Sequence, residues 1–416
     1  MTLVILFLVN VLNFYDRFTL GAVGESIRRD FHLNDAQLGG LTTAFTILYA
    51  LAGWPLGRMA DTRNRKTILV WGIAVWSGLT ALGGFAGSYL TLLLTRVGVG
   101  IGEAACAPAA TSWIGDATPP ARRTRALAIF MMAVPIGGML SFAINGPATQ
   151  AFGWRVTLAF AAIPAMALIP AVLWLREPRT AGSHVMGSPS EQDPRQLARL
   201  PIFWWISVSG AVVNFALYSF SAFFAIFLIR YHHMTIGSAG LWGGIGSGIA
   251  GIAGALGAGA LGDRVSRDHA GTRMRLAAVA SLVAAPLMLA AISLPSGAIA
   301  GAITLMMLGY GLLQTYYGLV YAAMHDAVGP ALRGTAMGAY FVVQYLGGAA
   351  WGPLVTGRLS DHFAQTARAG GASAETARAI GLHQAIYVVP ALALVLAGVL
   401  WVGANASMLP AKLKRG

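Results

Sequence analysis

The chain has 416 residues, of which 56% are hydrophobic and only 10% are charged, and its formal net charge is +13. A soluble chain could not cover so much apolar surface, so the composition excludes a soluble globular protein and predicts a polytopic membrane protein. The positive charge does not indicate a nucleic-acid partner, because the basic residues form short clusters between apolar stretches of about 20 residues, the length that spans a bilayer.

Twelve apolar stretches follow one another along the chain, and each is long enough to be a membrane-spanning helix. Their approximate bounds are 2–24, 36–58, 67–87, 89–114, 125–148, 154–175, 202–230, 238–262, 275–294, 298–324, 334–357 and 382–404. A polar segment that contains Pro and Ser separates the first six from the last six. The predicted organisation is an N-terminal six-helix bundle at 1–175, a central cytosolic linker at 176–200 and a C-terminal six-helix bundle at 201–416.

The two halves of the chain carry similar segments at equivalent places. "GRMAD" (57–61) closes the second span and "GALGD" (259–263) closes the eighth. "DATPPARRTRA" (116–126), after the fourth span, aligns with "DAVGPALRGTA" (326–336), after the tenth, at a constant offset of 210 residues. These matches predict a duplicated half and two pseudo-symmetric bundles.

The distribution of basic residues predicts the orientation of the chain. Of the 28 Lys and Arg residues, 19 lie in or beside the loops on one side of the predicted membrane and 7 lie on the other. Cytoplasmic loops carry the excess of Lys and Arg in multi-pass proteins. We therefore expect a multi-pass protein of the cell (inner) membrane whose N and C termini are both cytoplasmic.

Several segments resemble a known transporter family. "GRMADTRNRK" (57–66) resembles the loop signature of the major facilitator superfamily, and "RVGVGIGEA" (96–104) resembles its Arg-containing motif on the fourth span. "NFYDRFTLGAV", "DFHLNDAQLGGLTTAF" and "RALAIFMMAVPIGGMLSF" are similar to the bacterial members of the spinster family of lysolipid and sphingolipid transporters. The resemblance implies an all-α membrane protein with 12 transmembrane helices, which acts as a secondary transporter by alternating access and is not an enzyme.

Four charged residues lie deep inside predicted spans: Asp16 and Arg17 in the first, Arg96 and Glu103 in the fourth. An ionised group at bilayer depth costs roughly 2.5–3.5 kcal/mol on insertion scales, so each must be paired or hydrated. The superfamily fold brings these two spans together at the central cavity. One interpretation is an ion-pair network that only holds the spans together. We favour a site for proton relay or anion recognition, because a structural link does not need four charges.

The chemistry of the four residues suggests their roles. Glu103, and after it Asp16, are the candidate proton-coupling residues. Burial favours the neutral form of a carboxyl group and a nearby arginine favours its charged form, so such a group can gain and lose a proton. Arg17 and Arg96 are candidate substrate-binding residues, because a guanidinium stays charged and holds phosphate or carboxylate with a bidentate fork. Competition between the substrate anion and Glu103 for the same Arg would couple the two events.

Residues in the loops on the predicted cytoplasmic side are candidates for gating. A carboxylate there can accept hydrogen bonds from the N-termini and basic residues of neighbouring helix ends. The alternative is that the basic residues only set the topology. The gating candidates are Asp61, Arg65, Arg123, Asp263, Arg264 and Arg333.

In the second half, polar and aromatic residues at helical spacing mark one face of the seventh, tenth and eleventh spans. Core packing or anchoring at the lipid interface would give similar stripes, but amides in the middle of a span are poor lipid-facing residues. The substrate-lining candidates of this half are Asn214, Tyr218, Tyr310, Gln314, Tyr317, Tyr321, Tyr340 and Gln344.

A charged first half and an uncharged aromatic second half favour an amphipathic anionic substrate, such as a lysophospholipid or sphingoid phosphate, moved with protons. The alternative in the same class is a proton-coupled organic-anion or sugar-acid symporter. The alternatives in other classes are a non-transporting receptor and a lipid-modifying enzyme. The sequence shows neither metal-ligand spacing nor a phosphate-binding Gly loop, so we expect no cofactor other than the coupling proton and no metal site. We expect the protein to act as a monomer among membrane lipids.

Overall fold

The structure, a computed structural model, describes residues 1–177, 195–265, 270–328 and 332–413. These residues are almost wholly helical and contain no β-strand. Most of the predicted linker at 176–200 lies outside the described residues, and the predicted bundle boundaries stay a prediction.

The helices of the first part of the chain are α1 (Thr2–Phe31), α2 (Asp35–Thr62), α3 (Arg65–Gly83), α4 (Tyr89–Glu103), α5 (Cys106–Ala117), α6 (Pro120–Met131), α7 (Ala133–Ala161), α8 (Ile163–Ala167) and α9 (Ile169–Trp174). Those of the second part are α10 (Arg195–Ala198), α11 (Pro201–Arg230), α12 (Ile236–Val265), α13 (Ala270–Ser293), α14 (Ile299–Ala327), α15 (Arg333–Gln344), a π-helical turn (Tyr345–Ala349), α16 (Gly352–Ala369), α17 (Ala374–Ala385) and α18 (Val388–Leu413).

Ten helical runs among the described residues are long and apolar enough to cross a membrane. One of them, Arg125–Trp174, contains the predicted fifth and sixth spans. These two spans separate at Gly153, whose φ of 81° lies in the left-handed region that glycine adopts without strain. The predicted eleventh span is interrupted by the π-helical turn, so it is not among the ten. The helices are therefore consistent with the predicted all-α fold of twelve crossings.

The first helix is longer than the sequence predicted. We expected the first span to end near residue 24, but α1 continues to Phe31 and ends where His32 adopts a left-handed conformation with φ 53°. The charged residues of the last two turns do not end the helix, because Arg28 and Glu25 form an ion pair of 2.8 Å across three residues. The extension places two further charged side chains in the interior of the protein.

The described residues fall into two compact units. The first unit comprises those within Met1–Val185 and Ser221–Gly248, and the second comprises those within Met186–Phe220 and Ile249–Gly416. In the first unit α1 packs along α7, and α4 packs between α2 and α3. A core that includes the fully buried rings of Trp76, Trp113 and Phe130 is built mainly from α1 to α6, α8 and α9. In the second unit α13 packs against α14 and α18, and α16 packs against α17.

The duplicated segments have equivalent local structures. In the first, Arg123 Nε donates to the Thr118 carbonyl at 3.1 Å. In the second, Arg333 Nε donates to the Val328 carbonyl at 3.3 Å. Both residues of the second pair stand 210 positions after those of the first, which is the offset of the sequence repeat. The repeat therefore extends to the hydrogen bond that holds the connection after the fourth and tenth spans.

The aspartates that open these segments also have equivalent partners. Asp116 forms an ion pair with Arg65, the first residue of α3. Asp326 forms an ion pair of 3.3 Å with Arg273 in the first turn of α13. In each unit a carboxylate and an arginine thus connect the segment after the fourth or tenth span to the start of an earlier helix, α3 or α13.

Candidate functional site

The four charged residues predicted from the first and fourth spans lie together in the first unit. Arg17 Nε donates to Glu103 Oε2 at 3.0 Å, and both side chains are almost fully buried. Arg17 also donates through Nη2 to Asn13 Oδ1 at 3.3 Å, one turn earlier on α1. The predicted contact between the first span and Glu103 is therefore a direct ion pair.

The other two charges are joined through a hydroxyl group. Thr80 on α3 donates to Asp16 Oδ2 at 2.6 Å, and its oxygen accepts from Arg96 Nη2 at 3.2 Å. Sequence reasoning missed Thr80, because a lone Thr in an apolar span carries no motif. The residue nevertheless links the carboxylate of α1 to the guanidinium of α4. We define Asp16, Arg17, Thr80, Arg96 and Glu103 as the charged cluster.

Aromatic rings surround the Arg17 guanidinium. Its central carbon lies 4.1 Å from the centre of the Tyr49 ring, 4.6 Å from that of Phe14 and 5.6 Å from that of Phe45. Rings at this distance attract a cation through their negative faces. The aromatic contacts and the Glu103 carboxylate therefore offset part of the cost of burying the charge.

Some polar atoms of the charged cluster are not used within it. Asp16 Oδ1, Glu103 Oε1 and Arg96 Nε are buried and have no hydrogen-bond partner among the described residues. A buried polar atom without a partner costs roughly 1–3 kcal/mol, and more when the group is charged. The cluster therefore has carboxylate oxygens that can bind a proton, and an arginine N–H that can donate a hydrogen bond to an anion.

The uncharged candidates of the second unit also form a network. Asn214 lies at its centre: Tyr317 OH donates to Asn214 Oδ1 at 3.1 Å, and Asn214 Nδ2 donates to Gln344 Oε1 at 3.1 Å. Gln314 Nε2 donates to Tyr310 OH at 2.7 Å on the same face of α14. The predicted amide and tyrosine stripes of the seventh, tenth and eleventh spans are therefore brought together.

Two residues that sequence reasoning missed complete this network. Tyr316 lies within hydrogen-bond distance of Ser209 Oγ, at 2.8 Å, and of Tyr340 OH, at 3.2 Å. The Tyr321 ring packs edge-to-face on Tyr340, with ring centres 5.5 Å apart. Tyr316 was passed over because it lies one residue off the stripe that contains Tyr317. Tyr218 contacts Tyr345 edge-to-face at 6.2 Å.

The two units differ sharply in the charge that they bury. Among the described residues, every buried charged side chain belongs to the first unit. The buried polar groups of the second unit are hydroxyls and amides. The sequence predicted this charge for the first half of the chain only, but Arg230, at the end of the predicted seventh span, also belongs to the first unit and is buried. The functional roles of the individual residues stay predictions.

The structure adds a second charged network at the far end of α1, which we call the Arg230 network. Arg230 at the end of α11 donates to Glu25 through Nε at 2.9 Å and Nη2 at 2.8 Å, and it binds both oxygens of Asp35 at 2.8 Å. Arg28 donates to the same Glu25. These buried charges are additional to the four expected at membrane depth, because α1 continues past residue 24 and its last turns are buried. Glu25 is three and four residues before Arg28 and Arg29, a spacing that indicates ion pairs along one helix face, and this pattern could have predicted the longer helix.

The structure describes the side chains of three of the six gating candidates. Arg65 contacts Asp116, and its backbone N–H donates to Glu177 Oε1 at 3.0 Å. Arg123 and Arg333 bind the carbonyls of their own connections. The side chains of Asp61, Asp263 and Arg264 lie outside the described residues. The gating roles stay predictions.

The described residues contain no group of three or more His, Cys, Asp or Glu side chains placed to hold a metal ion.

Comparisons with known proteins identify the family. The sequence profile of the Major Facilitator Superfamily matches residues 6–352. An "MFS-type efflux pump" of Mycolicibacterium smegmatis is 29% identical over 363 residues, which are 86% of this chain and 83% of that protein. "Protein spinster homolog 1" of Xenopus tropicalis is 28% identical over 381 residues, 86% of this chain and 72% of that protein. The "Sphingosine-1-phosphate transporter SPNS2" of Danio rerio is 30% identical over 233 residues, 53% of this chain and 46% of that protein.

Solved structures give the same result for the fold. The crystal structure of a bacterial homolog to the human lysosomal transporter spinster, in an inward-facing and unoccupied conformation, has a TM-score of 0.86. It is 26% identical to this chain, and the match covers 98% of this chain and 97% of that one. The chain therefore belongs to the Major Facilitator Superfamily: it is a multi-pass membrane transporter of small molecules, not an enzyme, and it resembles the bacterial spinster members of that family.

Proposed function

We propose that the protein transports an amphipathic anion, such as a lysophospholipid or a sphingoid phosphate, by alternating access, and that protons drive the transport. The protein works as a monomer in the cell (inner) membrane with both termini cytoplasmic. The observation that carries the proposal is the buried Arg17–Glu103 pair, because a guanidinium that holds a carboxylate can hold a phosphate instead.

In this proposal the substrate anion and the Glu103 carboxylate bind Arg17 in turn. When Glu103 is ionised, its Oε2 accepts from Arg17 at 3.0 Å. A proton on Glu103 removes the negative charge that holds the guanidinium, which is then available to the anionic head group. Return of the carboxylate would displace that head group. Asp16 and Arg96, joined through Thr80, are the second pair that can act in this way.

The second unit supports an amphipathic substrate rather than a purely polar one. Its tyrosines and amides satisfy one another: the partly buried Tyr317 donates to Asn214, which donates to Gln344. A surface of this kind can contact an alkyl chain with its aromatic rings and can hydrogen-bond the polar groups next to that chain through its hydroxyls. It has no charge for a second anionic group. The SPNS2 relative, named as a transporter of sphingosine-1-phosphate, is consistent with this class of substrate.

The experiment is flux into proteoliposomes that contain the purified full-length protein. Labelled lysophosphatidylglycerol, sphingosine phosphate and gluconate are compared with and without a pH gradient. We expect the two amphiphiles to move faster under the gradient, and gluconate to move no faster than in protein-free vesicles. Gluconate flux without amphiphile flux would favour the sugar-acid symporter instead. Binding without flux of any compound would favour a receptor.

Two variants separate proton coupling from binding. Glu103→Gln keeps the size of the side chain and one acceptor oxygen but cannot gain or lose a proton. We expect it to bind the amphiphile and to lose the dependence of flux on the pH gradient. Glu375→Gln, which changes an exposed glutamate in the first turn of α17, is the matched control. If the dependence of flux on pH is unchanged in Glu103→Gln, the proposed role of Glu103 is contradicted.

A further inference from the structure

An apolar groove lies on the first unit, outside the charged cluster. It has a volume of about 550 Å³ and runs along α3 between α2 and the end of α4. Ligand pockets for small molecules occupy about 300–1,000 Å³, so the groove is large enough for part of a lipid chain. Its walls include Trp71, Val75 and Ile101, all of which are exposed on the surface of the unit.

Two of the residues that line the groove are glycines, which have no side chain. Gly72 and Gly102 line it, and at both positions the neighbouring helix is in contact. A Cβ on Gly72 would lie 3.0 Å from the Ala105 Cβ, and one on Gly102 would lie 2.8 Å from the backbone nitrogen of Trp76. The close approach of α3 and α4 therefore makes the groove concave while the larger side chains stand at its edges.

One end of the groove is polar and basic. Arg63, Asn64 and Thr67 line it where α2 ends and α3 begins. Arg63 is exposed, and its side chain has no ion-pair or hydrogen-bond partner among the described residues. Its basic neighbours are already engaged, since Arg65 pairs with Asp116 and Lys66 Nζ donates to the Leu173 carbonyl at 3.1 Å.

We propose that this groove binds one anionic glycerophospholipid of the surrounding bilayer, with an acyl chain against Trp71, Val75 and Ile101 and its phosphate on Arg63. The apolar walls belong to membrane-spanning helices, and the basic end lies at their terminus, on the side that the loop charges predict to be cytoplasmic. The groove thus matches an amphiphile that stands parallel to the helices with its head group at the membrane surface. A basic pocket between transmembrane helices on that side is suited to an anionic head group.

This lipid is a bound component rather than cargo. The groove is lined by residues of α2, α3, α4 and the connections that follow α2 and α4, and none of them belongs to the charged cluster. The inference therefore does not rest on the proposed function, and it holds whichever substrate the protein transports.

The test is mass spectrometry of the intact purified protein in detergent with dioleoyl phosphatidylglycerol or dioleoyl phosphatidylcholine added at equal concentration. We expect the unmodified protein to retain one phosphatidylglycerol in preference to phosphatidylcholine. A Lys or Arg near an anionic lipid surface is worth about 1 kcal/mol, so Arg63→Gln is expected to weaken phosphatidylglycerol binding about fivefold. Arg199→Gln removes an exposed arginine elsewhere on the same predicted side and should leave binding unchanged.

A second variant tests the apolar part of the site. Ile101→Trp fills the groove from an exposed wall position and is expected to reduce the retention of both lipids, with an unchanged melting temperature. Retention of phosphatidylglycerol at the unmodified level in Arg63→Gln or in Ile101→Trp would overturn the inference. Competition by glycerol 3-phosphate as strong as that by the lipid would overturn it too, because it would show a free anion site that needs no acyl chain.

Discussion

The guanidinium of Arg230 binds both oxygens of the Asp35 carboxylate, with Nη1 2.8 Å from Oδ2 and Nη2 2.8 Å from Oδ1, although 195 residues separate the two along the chain. The same guanidinium holds Glu25. The end of α11 is therefore fixed to α1 and to the start of α2 by one side chain. A fork of this kind fits carboxylates in a way that lysine cannot reproduce.

Loss of the Arg230 side chain should strongly destabilise the protein. Removal of one partner of a buried ion pair typically costs 3–5 kcal/mol, because the remaining charges stay buried without compensation. We expect Arg230→Ala to lower the thermal unfolding midpoint clearly and Arg230→Lys to lower it by less. Arg29→Gln is the control: Arg29 also contacts Glu25, but its side chain is 57% exposed, so its contribution is at most about 1 kcal/mol. Equal effects of Arg230→Ala and Arg29→Gln would contradict this account.

The Arg17–Glu103 pair should behave as a coupled unit in a double-mutant cycle. Arg17→Gln alone leaves the Glu103 carboxylate buried beside a neutral amide, and Glu103→Gln alone leaves the Arg17 guanidinium without its anion. We expect each single variant to be less stable than the double variant. The unfolding midpoints of the three variants measure this coupling, which is typically 0.5–3 kcal/mol for residues in contact. Additive effects would show that the two groups do not stabilise each other.

Thr80 should be needed for its hydroxyl group rather than for its size. Thr80→Val keeps the shape but removes the donor to Asp16 and the acceptor for Arg96, both of which are buried. The unpaired groups are expected to cost roughly 1–3 kcal/mol of stability. If the charged cluster carries the proton, Thr80→Val also alters the pH dependence of flux. Thr80→Ser retains the hydroxyl and should retain both properties; similar behaviour of Ser and Val variants would exclude a role for the hydroxyl.

A glycine on α12 should be needed for close packing against α7. The Cα of Gly146 would lie 2.7 Å from a Cβ placed on Gly240, which is closer than real Cβ contacts. Gly240→Ala is therefore expected to destabilise the protein by about 1–3 kcal/mol through overpacking. Gly257→Ala is a control on the same helix, because a Cβ there meets nothing within 4 Å. The thermal unfolding midpoint should fall for Gly240→Ala and should not fall for Gly257→Ala. A Gly240→Ala variant as stable as the unmodified protein would show that α7 and α12 can move apart at this point without cost.

The sequence by itself determined the membrane class, the helical spans, the internal repeat and the four charges of the first and fourth spans. These features are local: a run of apolar residues must cross the bilayer as a helix, because no water is present there to satisfy the backbone. A charged residue within such a run must then face protein or water, so Asp16, Arg17, Arg96 and Glu103 could be selected without a structure.

Only the tertiary structure decided which groups these charges meet. Thr80 connects Asp16 to Arg96, and Arg230 meets Glu25 across 205 positions. No periodicity along the chain could reveal either contact, because partners depend on which helix faces pack together and on where each helix ends. The extension of α1 to Phe31 shows this directly: Glu25, which the sequence placed just beyond the end of the first span, is buried because a distant arginine supplies the opposite charge.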